Sequence, residues 1–463
     1  MKQLTFTLLL FCAPFLLTAQ AQEANMLYNW NDTSLIVNNW PGGRYNEIWG
    51  VSINGHEFGI IGSTEGVHFI DVTDPLNSYE VESAYVQGKV AGANIIHRDY
   101  HDYNGYLYTV ADEGSSSLQV IDMTQLPDTA IVVYDDDEFF KRAHNIFIDS
   151  TAARLYATGG VGVKIISIEE PENPTLLASF PNEDLDIPYA HDLYVRDNIA
   201  LLNCGQNGLW AVDFTDLEAP QLLGNMTIYE QQGYNHAGWM HETLPYYYLA
   251  DETHGMDVKV VNVEDYNDMY VVNTFDAEAE APSSIAHNVL VRGDYLYISY
   301  YYDGVQVYDI TDPENPVRVY YFDTYAGEDQ AGFHGAWGVF PYLTSGNFLV
   351  SDMQTGFYLF ESIDESITST GALTVAERKV KVWPQPSGGQ LTVELEMENP
   401  VETVNLKVFD LHGKCLLEKN AGELQAGVNR LDLNLTQQVA NGLYFLHLES
   451  ETFVATKKIV VQK

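Results

Sequence analysis

A turn glycine, an apolar strand and an acidic turn follow one another in the stretch Gly304-Val305-Gln306-Val307-Tyr308-Asp309-Ile310-Thr311-Asp312-Pro313. The same pattern occurs in Gly66-Val67-His68-Phe69-Ile70-Asp71-Val72-Thr73-Asp74-Pro75, and segments that begin at Gly162 and Gly208 follow it. Glycine, aspartate and proline end strands because their backbones suit tight turns. The recurrence indicates a chain built from a repeated β unit.

A second marker, a Trp or His that opens a short apolar strand, precedes a glycine by 17 to 19 residues in each copy. The Trp or His markers are Trp49, His97, His144, His191, His236, His287 and Trp337. The glycines are Gly66, Gly114, Gly162, Gly208, Gly255, Gly304 and Gly356. Successive Trp or His markers are 45 to 51 residues apart. Because the spacing of the two markers is nearly constant over seven copies, they indicate a specific repeat.

Each copy contains four strand-like segments, which in the sixth copy are 288–291, 295–300, 305–310 and 317–322. Four short strands about every 45 residues are typical of a β-propeller blade. We therefore predict an all-β fold with a seven-bladed β-propeller over residues 22–363. The seventh copy lacks its fourth strand, and segment 25–31 resembles the outer strand of the fourth copy at 222–226. The N-terminal segment is predicted to complete the seventh blade and cover its open edge.

The repeat resembles that of LVIVD-repeat proteins, through Asp-Val-Thr-Asp-Pro at 71–75 and Asp-Ile-Thr-Asp-Pro-Glu-Asn-Pro at 309–316. Segments 45–51 and 60–66 are similar to the choice-of-anchor B group among them. These are exported propellers with interchangeable C-terminal anchors, so the resemblance, over about residues 24–365, implies fold and location. It implies no chemistry, because the group has no established catalytic activity. His97-Arg98-Asp99 departs from the Trp-Arg-Asp expected there.

The N-terminus has the features of an export signal. Lys2, an apolar run over 8–17 and Ala19-Gln20-Ala21 predict a signal peptide over residues 1–21. No later stretch reaches 18 apolar residues, so no transmembrane span is expected. The mature chain would keep Cys204 and Cys415, which are 211 positions apart. They fall in different predicted domains, so we expect no disulfide framework.

The composition changes after residue 363. Residues 364–376 are predicted to be a linker, and two predicted hairpins, 404–418 and 442–461, favour a small β-sandwich over residues 377–463. This region resembles the C-terminal sorting domain of the type IX secretion system, and only Gln385 departs mildly from the pattern. The matching segments are 382–389, 410–414, 441–444 and 457–461.

The resemblance to a sorting domain implies the type IX secretion machinery as a partner. It also implies a protein that is secreted or attached to the outer cell surface of a two-membrane bacterium. An ordinary adhesive β-sandwich is the alternative interpretation of the same strands.

The charge is concentrated before the C-terminal region. The chain of 463 residues carries 65 acidic and 22 basic residues, for a net charge of -43. Of these, 54 acidic and 12 basic residues precede Glu377. Such a surface repels phosphate, which excludes nucleic acid as a partner, and it favours cationic ligands. Solubility of an exported protein is the alternative reason for the excess of acid.

The histidine markers open the strands nearest the propeller axis and share its top face with the turns before the glycines. This placement predicts a ligand-binding set of His97, His144, His191, His236, His287, Glu65, Asp112, Glu113, Asp303 and Asp352. A denser group is the candidate site for a divalent metal: His236, His241, Asp251, Glu252 and His254. Imidazoles beside carboxylates can bind a divalent metal or a cationic ligand. Structural hydrogen bonds between strands are the alternative, because imidazole offers both a donor and an acceptor.

Three interpretations of function follow. The first is an exported propeller that binds an unknown extracellular ligand or protein. The second is a metal-dependent enzyme, hydrolase or oxidase, that uses an axial ring of histidines and carboxylates, and the third is a structural surface-layer component. No nucleophile elbow, P-loop or H-E-x-x-H motif is present, so no residue is assigned a catalytic role.

Overall fold

The structure is a computed structural model, described over residues 21–159, 162–277, 284–325, 327–328, 332–363, 380–384, 387–397, 401–409, 415–425, 427–436, 439, 442–449 and 454–463. The predicted signal peptide, apart from Ala21, and the predicted linker at 364–376 lie outside the described residues.

Seven small antiparallel sheets, each in chain order, account for the repeat in the described part of the chain. The first sheet consists of Tyr45–Ile53, His56–Ser63, Gly66–Asp71 and Tyr79–Glu80. The second consists of Arg98–Tyr103, Tyr106–Ala111, Leu118–Asp122 and Ile131–Asp136. The third consists of Asn145–Asp149, Arg154–Thr158, Val163–Ser167 and Thr175–Phe180. The fourth consists of Asp192–Arg196, Ile199–Asn203, Leu209–Asp213 and Gln221–Met226. The fifth consists of Asn235–Met240, Tyr246–Asp251, Val258–Asn262 and Tyr270–Phe275.

The sixth sheet consists of Val289–Arg292, Tyr295–Ser299, Val305–Asp309 and Val317–Phe322, and the seventh begins with Ala336–Phe340, Phe348–Asp352 and Gly356–Phe360. Val86–Gln87 pairs with the third strand of the first sheet. Short 3-10 helices cover Pro75–Asn77, Glu82–Ala84 and Tyr266–Asp268. In the described part of the chain, no helix has the length and apolar character needed to cross a membrane.

The N-terminal segment completes the seventh sheet, as predicted. Met26–Trp30 pairs antiparallel with Gly356–Phe360 and supplies the fourth strand. Nδ2 of Asn29 strengthens the pairing by donating a hydrogen bond to the backbone oxygen of Phe357 at 3.0 Å. Gln22–Glu23 adds a parallel strand to the sixth sheet beside Val317–Phe322. The start of the described chain is therefore bound to two sheets formed more than 290 residues later.

The first strand of each sheet, called the inner strand below, contacts the inner strand of the next sheet. Ala336–Phe340 in the seventh sheet contacts Tyr45–Ile53 in the first. Apolar side chains fill the spaces between the sheets; Ile48 and Ile61 of the first sheet, for example, pack with Phe357 of the seventh. Burying these side chains stabilises the arrangement because it removes apolar surface from water.

Two further sheets occupy the C-terminal region. One contains Val380–Trp383, Gln390–Met397 and Gly427–Asn434, and the other contains Cys415–Leu424, Val401–Phe409, Gly442–Glu449 and Val454–Val461. Both predicted hairpins are present as antiparallel pairs. The two sheets share one apolar core, in which Val393, Val408 and Leu446 are fully buried.

Candidate ligand and metal site on the propeller axis

Six aromatic side chains from the starts of six inner strands form a closed circle, called the axial ring below. Its members are His97, His144, His191, His236, His287 and Trp337. Neighbouring ring centroids are 4.1 to 5.3 Å apart around the whole circle. The repeat spacing brings these residues together because each stands at the same point of its sheet.

Trp49 departs from the predicted arrangement. The repeat aligns it with the histidines, but its ring lies 4.4 Å from that of His101 and 4.9 Å from that of Phe340, outside the axial ring. The pairing of the first inner strand shifts register between Tyr45 and Ile48. The same kind of shift occurs beside His236 and Trp337, which remain in the axial ring. Trp49 instead stands with Phe147 and Tyr194, each of which lies three residues after a histidine of the ring. The first sheet therefore contributes no aromatic member to the axial ring.

Carboxylates and backbone oxygens hold part of the ring in place. Nδ1 of His144 lies 3.0 Å from Oδ2 of Asp112, and Nδ1 of His97 forms a short contact with Oε1 of Glu113. Nδ1 of His287 donates to the backbone oxygen of Trp337 at 2.6 Å. These contacts agree with the alternative interpretation of the sequence, in which the histidines form structural hydrogen bonds.

In two members of the ring, the Nδ1 atom lacks such a partner among the described residues. Nδ1 of His191 and Nδ1 of His236 are buried and have no hydrogen-bond partner among the described residues. Burial lowers the pKa of His236 to about 3 and holds the pKa of His191 well below its usual range, and neighbouring imidazoles add to both effects. Both imidazoles are therefore neutral at neutral pH, which is the form that binds a metal.

A polar layer adjoins the axial ring, formed by Glu47, Asp99, Asn145, Asp192 and Asn288. A cavity of about 20 Å³ lies between the ring and this layer. That volume holds about one water molecule or one ion. The site is therefore small, and imidazole, carboxyl and amide groups contribute to its lining.

The carboxyl groups of the polar layer are strongly perturbed. Burial raises the pKa of Asp192 to about 8 and that of Glu47 to about 7. Burial, followed by the charge of Glu47, raises the pKa of Asp99 well above its usual range. These shifts arise because a buried carboxylate loses its hydration.

Seven rings in mutual contact surround the axis on the other side of the polar layer and are called the aromatic plug. They are Trp49, His101, Phe147, Tyr194, Trp239, Phe340 and Tyr342. A cavity of about 50 Å³ separates the plug from the polar layer.

A larger cavity opens beside the axial ring, and its aromatic lining is called the aromatic mouth. The mouth consists of Trp40, Tyr302, Phe333 and His334 around a volume of about 460 Å³. The Trp40 side chain is 53% exposed, and its ring lies 5.6 Å from that of Phe333. Tyr301 connects the mouth to the axis, because its ring lies 5.4 Å from Phe333 and 5.1 Å from His287.

The loop that carries Trp40 is fixed by its own polar contacts. Oδ1 of Asn38 accepts hydrogen bonds from the backbone N–H groups of Gly42 and Gly43 at 2.8 and 3.1 Å. A Cβ atom at Gly43 would lie 2.6 Å from the backbone oxygen of Met353, which is too close for any side chain. The mouth is thus built on a loop held against the seventh sheet.

The remaining members of the predicted ligand-binding set lie apart from the ring. Oε1 of Glu65 accepts from the backbone N–H of Ile36 at 3.0 Å. Oδ2 of Asp303 accepts from Ser284, and Oδ2 of the fully buried Asp352 accepts from Thr324. Each of these three carboxylates accepts a hydrogen bond from a residue in a connecting segment.

The five residues of the predicted metal group, all of them described, do not form one cluster. Nε2 of His236 lies 3.8 Å from Oε2 of Glu252, but Asp251 forms a buried ion pair with Lys259. His241 lies just beyond the other end of the strand that holds His236, where its Nδ1 accepts from two backbone N–H groups. The ring of His254 lies 5.4 Å from that of Phe333, near the mouth.

Several residues of the site were not among the predicted ones. Glu47 has an acidic side chain inside a largely apolar inner strand, and this contrast is a signal that could have identified it. Asp99 lies in the polar strand Arg98–Tyr103 and has no such contrast. Trp40 and Phe333 follow no periodic pattern, because they lie in connecting segments. His101, with both nitrogens buried and unpartnered among the described residues, belongs to the plug.

Comparison with known proteins assigns the C-terminal region. Residues 381–462 match the family described as the secretion system C-terminal sorting domain. The match implies handling by the type IX secretion machinery, and the protein is secreted or lies on the outer cell surface. It gives no support to the metal-dependent enzyme. No curated protein matches the sequence.

Many solved structures are similar to this chain, including the following three. The extracellular domain of a putative hybrid two component system from B. thetaiotaomicron is 10% identical with a TM-score of 0.52, and the match covers 95% of this chain and 58% of that one. A protein from Lactobacillus plantarum is 12% identical with a TM-score of 0.50, over 84% and 100% of the two chains. The β-propeller domain of Cps50 from Myceliophteria thermophila is 11% identical with a TM-score of 0.46, over 66% and 94%. At these identities the likeness concerns the fold alone, which is all-β.

Proposed function

We propose that this protein is an exported β-propeller that binds an extracellular ligand or partner at the face holding the axial ring and the aromatic mouth. The observation that carries the proposal is the half-exposed Trp40 at a cavity of about 460 Å³ beside the ring. Ligand sites are concave, lined by apolar and aromatic side chains, and contain a few placed polar groups. The mouth has all three properties.

The proposed architecture is a closed ring of seven blades over residues 22–363, followed by a linker at 364–376 and a β-sandwich at 377–463. The contact between the inner strands of the first and seventh sheets supports the closed ring. The signal peptide is assigned to residues 1–21. The LVIVD-type repeat and the resemblance to the choice-of-anchor B group support the same arrangement.

The ligand chemistry that best fits the mouth is a cationic group. An aromatic face attracts a cation through its quadrupole, and tryptophan does so most strongly. Acidic side chains surround the same region: Oε1 of Glu252 accepts from Tyr301, and Glu113 contacts His97. The large negative charge of the chain adds a long-range attraction for cations.

The test measures the binding of tetramethylammonium and of an oligolysine peptide to the Trp40→Ala variant by calorimetry. We expect Trp40→Ala to weaken binding about tenfold, since a partly desolvated cation–π contact contributes about 1–2 kcal/mol. Tyr270→Ala is the matched control, because Tyr270 is 53% exposed on an outer strand. Equal binding by the two variants contradicts the proposal, as does preferential binding of neutral oligosaccharides.

A further inference from the structure

Three imidazoles of the axial ring are arranged as metal ligands. One nitrogen from each of His144, His191 and His236 lies within 4.8 Å of a nitrogen of the other two. Nitrogens that share a zinc ion at 2.0–2.1 Å lie about 3.4 Å apart, so a small rotation of the side chains brings them to bonding distance. The three residues come from three successive sheets, which places the point between them beside the axis.

The hydrogen bonding of these residues leaves suitable nitrogens available. Nδ1 of His191 and Nδ1 of His236 are without a partner among the described residues, and their side chains are only 8% and 3% exposed. A buried polar atom without a partner is costly, and a bound ion is one way to satisfy it. Nδ1 of His144 is engaged by Asp112, which leaves Nε2 of that ring for a metal.

The contact between His144 and Asp112 is of a kind that is common at metal sites. A carboxylate that binds the second nitrogen of a ligating histidine fixes its tautomer and orientation. Nδ1 of His287 is bound to a backbone oxygen, and His97 is close to His144 and Asp112 rather than to His191 and His236. Among the candidate ligand groups of the described residues, His144, His191 and His236 form the one that consists of imidazoles alone.

We propose that His144, His191 and His236 bind one divalent transition-metal ion in the axial ring. Imidazole ligands favour zinc, cobalt, nickel or copper, whereas calcium and magnesium prefer oxygen ligands. The site is distinct from the aromatic mouth and does not depend on the ligand proposed there. It also differs from the group predicted from sequence, with which it shares only His236.

The test titrates Co²⁺ into metal-free protein of residues 22–463. The buffer contains excess Mg²⁺, which occupies surface carboxylates. We expect one Co²⁺ per chain and a visible absorption band of a nitrogen-ligated ion. His191→Phe and His236→Phe should each lower the affinity at least a hundredfold. Phenylalanine retains the aromatic packing of the ring, and a thermal melt of each variant verifies that it is folded.

The control is His56→Ala, because His56 lies at the start of a strand of the first sheet, paired with Asp71. This variant should bind Co²⁺ like the unmodified protein. Failure of the unmodified protein to bind Co²⁺ overturns the proposal. Equal binding by the unmodified protein and folded His191→Phe also overturns it, since the ion then lies elsewhere.

Discussion

Nδ2 of Asn288 donates a hydrogen bond to Oε2 of Glu47 at 2.9 Å, between residues 241 positions apart in the chain. The contact joins the sixth and first sheets within the polar layer. Burial raises the pKa of Glu47 to about 7, although hydrogen bonds from Ile48 and Asn288 act in the opposite direction. The titratable groups that interact with Glu47 are Asp99, Asp192, Tyr100 and Tyr301.

The raised pKa of Glu47 predicts a loss of stability as pH rises. Between about pH 4.5 and 7 the folded protein holds a proton that the unfolded chain releases, so the free energy of unfolding falls across this window. Each unit of pKa shift corresponds to about 1.4 kcal/mol. Glu47→Gln should flatten this decline in urea unfolding between pH 5 and 8. The exposed Glu218→Gln is the control, and parallel curves for the unmodified protein and Glu47→Gln would contradict the prediction.

The ion pair between Lys259 and Asp251 predicts a large effect of a single substitution. Nζ of Lys259 lies 2.7 Å from Oδ2 of Asp251, and both side chains are fully buried. Lys259→Met should lower the free energy of unfolding by about 3–5 kcal/mol, because it leaves a buried carboxylate without its counter-charge. Lys89→Met, which breaks a partly exposed pair with Asp135, should cost at most about 1 kcal/mol. Chemical denaturation measures both, and similar losses would show that burial is not the cause.

The N-terminal strand predicts a difference between two truncations. A chain that starts at Asp32 loses the pairing of Met26–Trp30 with the seventh sheet and exposes an unpaired edge. It should melt at a lower temperature than the mature chain and aggregate more readily. A chain that starts at Asn25 loses Gln22–Glu23 and the buried Ala24 but keeps Met26–Trp30, and it should be affected less. Light scattering during a thermal melt compares them, and identical behaviour of the two truncations would refute the prediction.

The sorting domain predicts a defect in export rather than in folding. A chain that ends at residue 363 should stay inside the producing bacterium, because the region matched to the sorting family is missing. Immunoblots of cell and medium fractions detect the change. As the reciprocal control, a signal peptide and residues 364–463 fused to a reporter should carry it out of the cell. A truncated chain that still reaches the outer surface would count against the assignment.

The strand pattern was largely predictable because it is repeated. The predicted strand 317–322 coincides with Val317–Phe322, and the other three strands of the sixth copy differ at their ends by one residue. Turn residues at regular intervals fix where strands end, and averaging over seven copies removes local ambiguity. The N-terminal strand was identified for the same reason, since it resembles an outer strand.

The candidate site was predictable only in part. Spacing identified the histidines of the axial ring, but register shifts in the inner strands at Tyr45, Asn235 and Ala336 leave no mark in the repeat. Trp337 joins the ring and Trp49 joins the plug, although the inner strands of both contain such a shift. Contacts between distant segments, such as Trp40 with Phe333, depend on the folded arrangement and have no local pattern.

The pairing of Met26–Trp30 with Gly356–Phe360 has a consequence in time. The first of these strands to be synthesised must wait for the last, so the seventh sheet cannot be completed before more than 320 further residues have been made. Until then the earlier sheets present an uncovered flank, and pairing across such a distance is slow. The chain is therefore most prone to aggregate in the interval between the synthesis of its N-terminal strand and the synthesis of its final repeat.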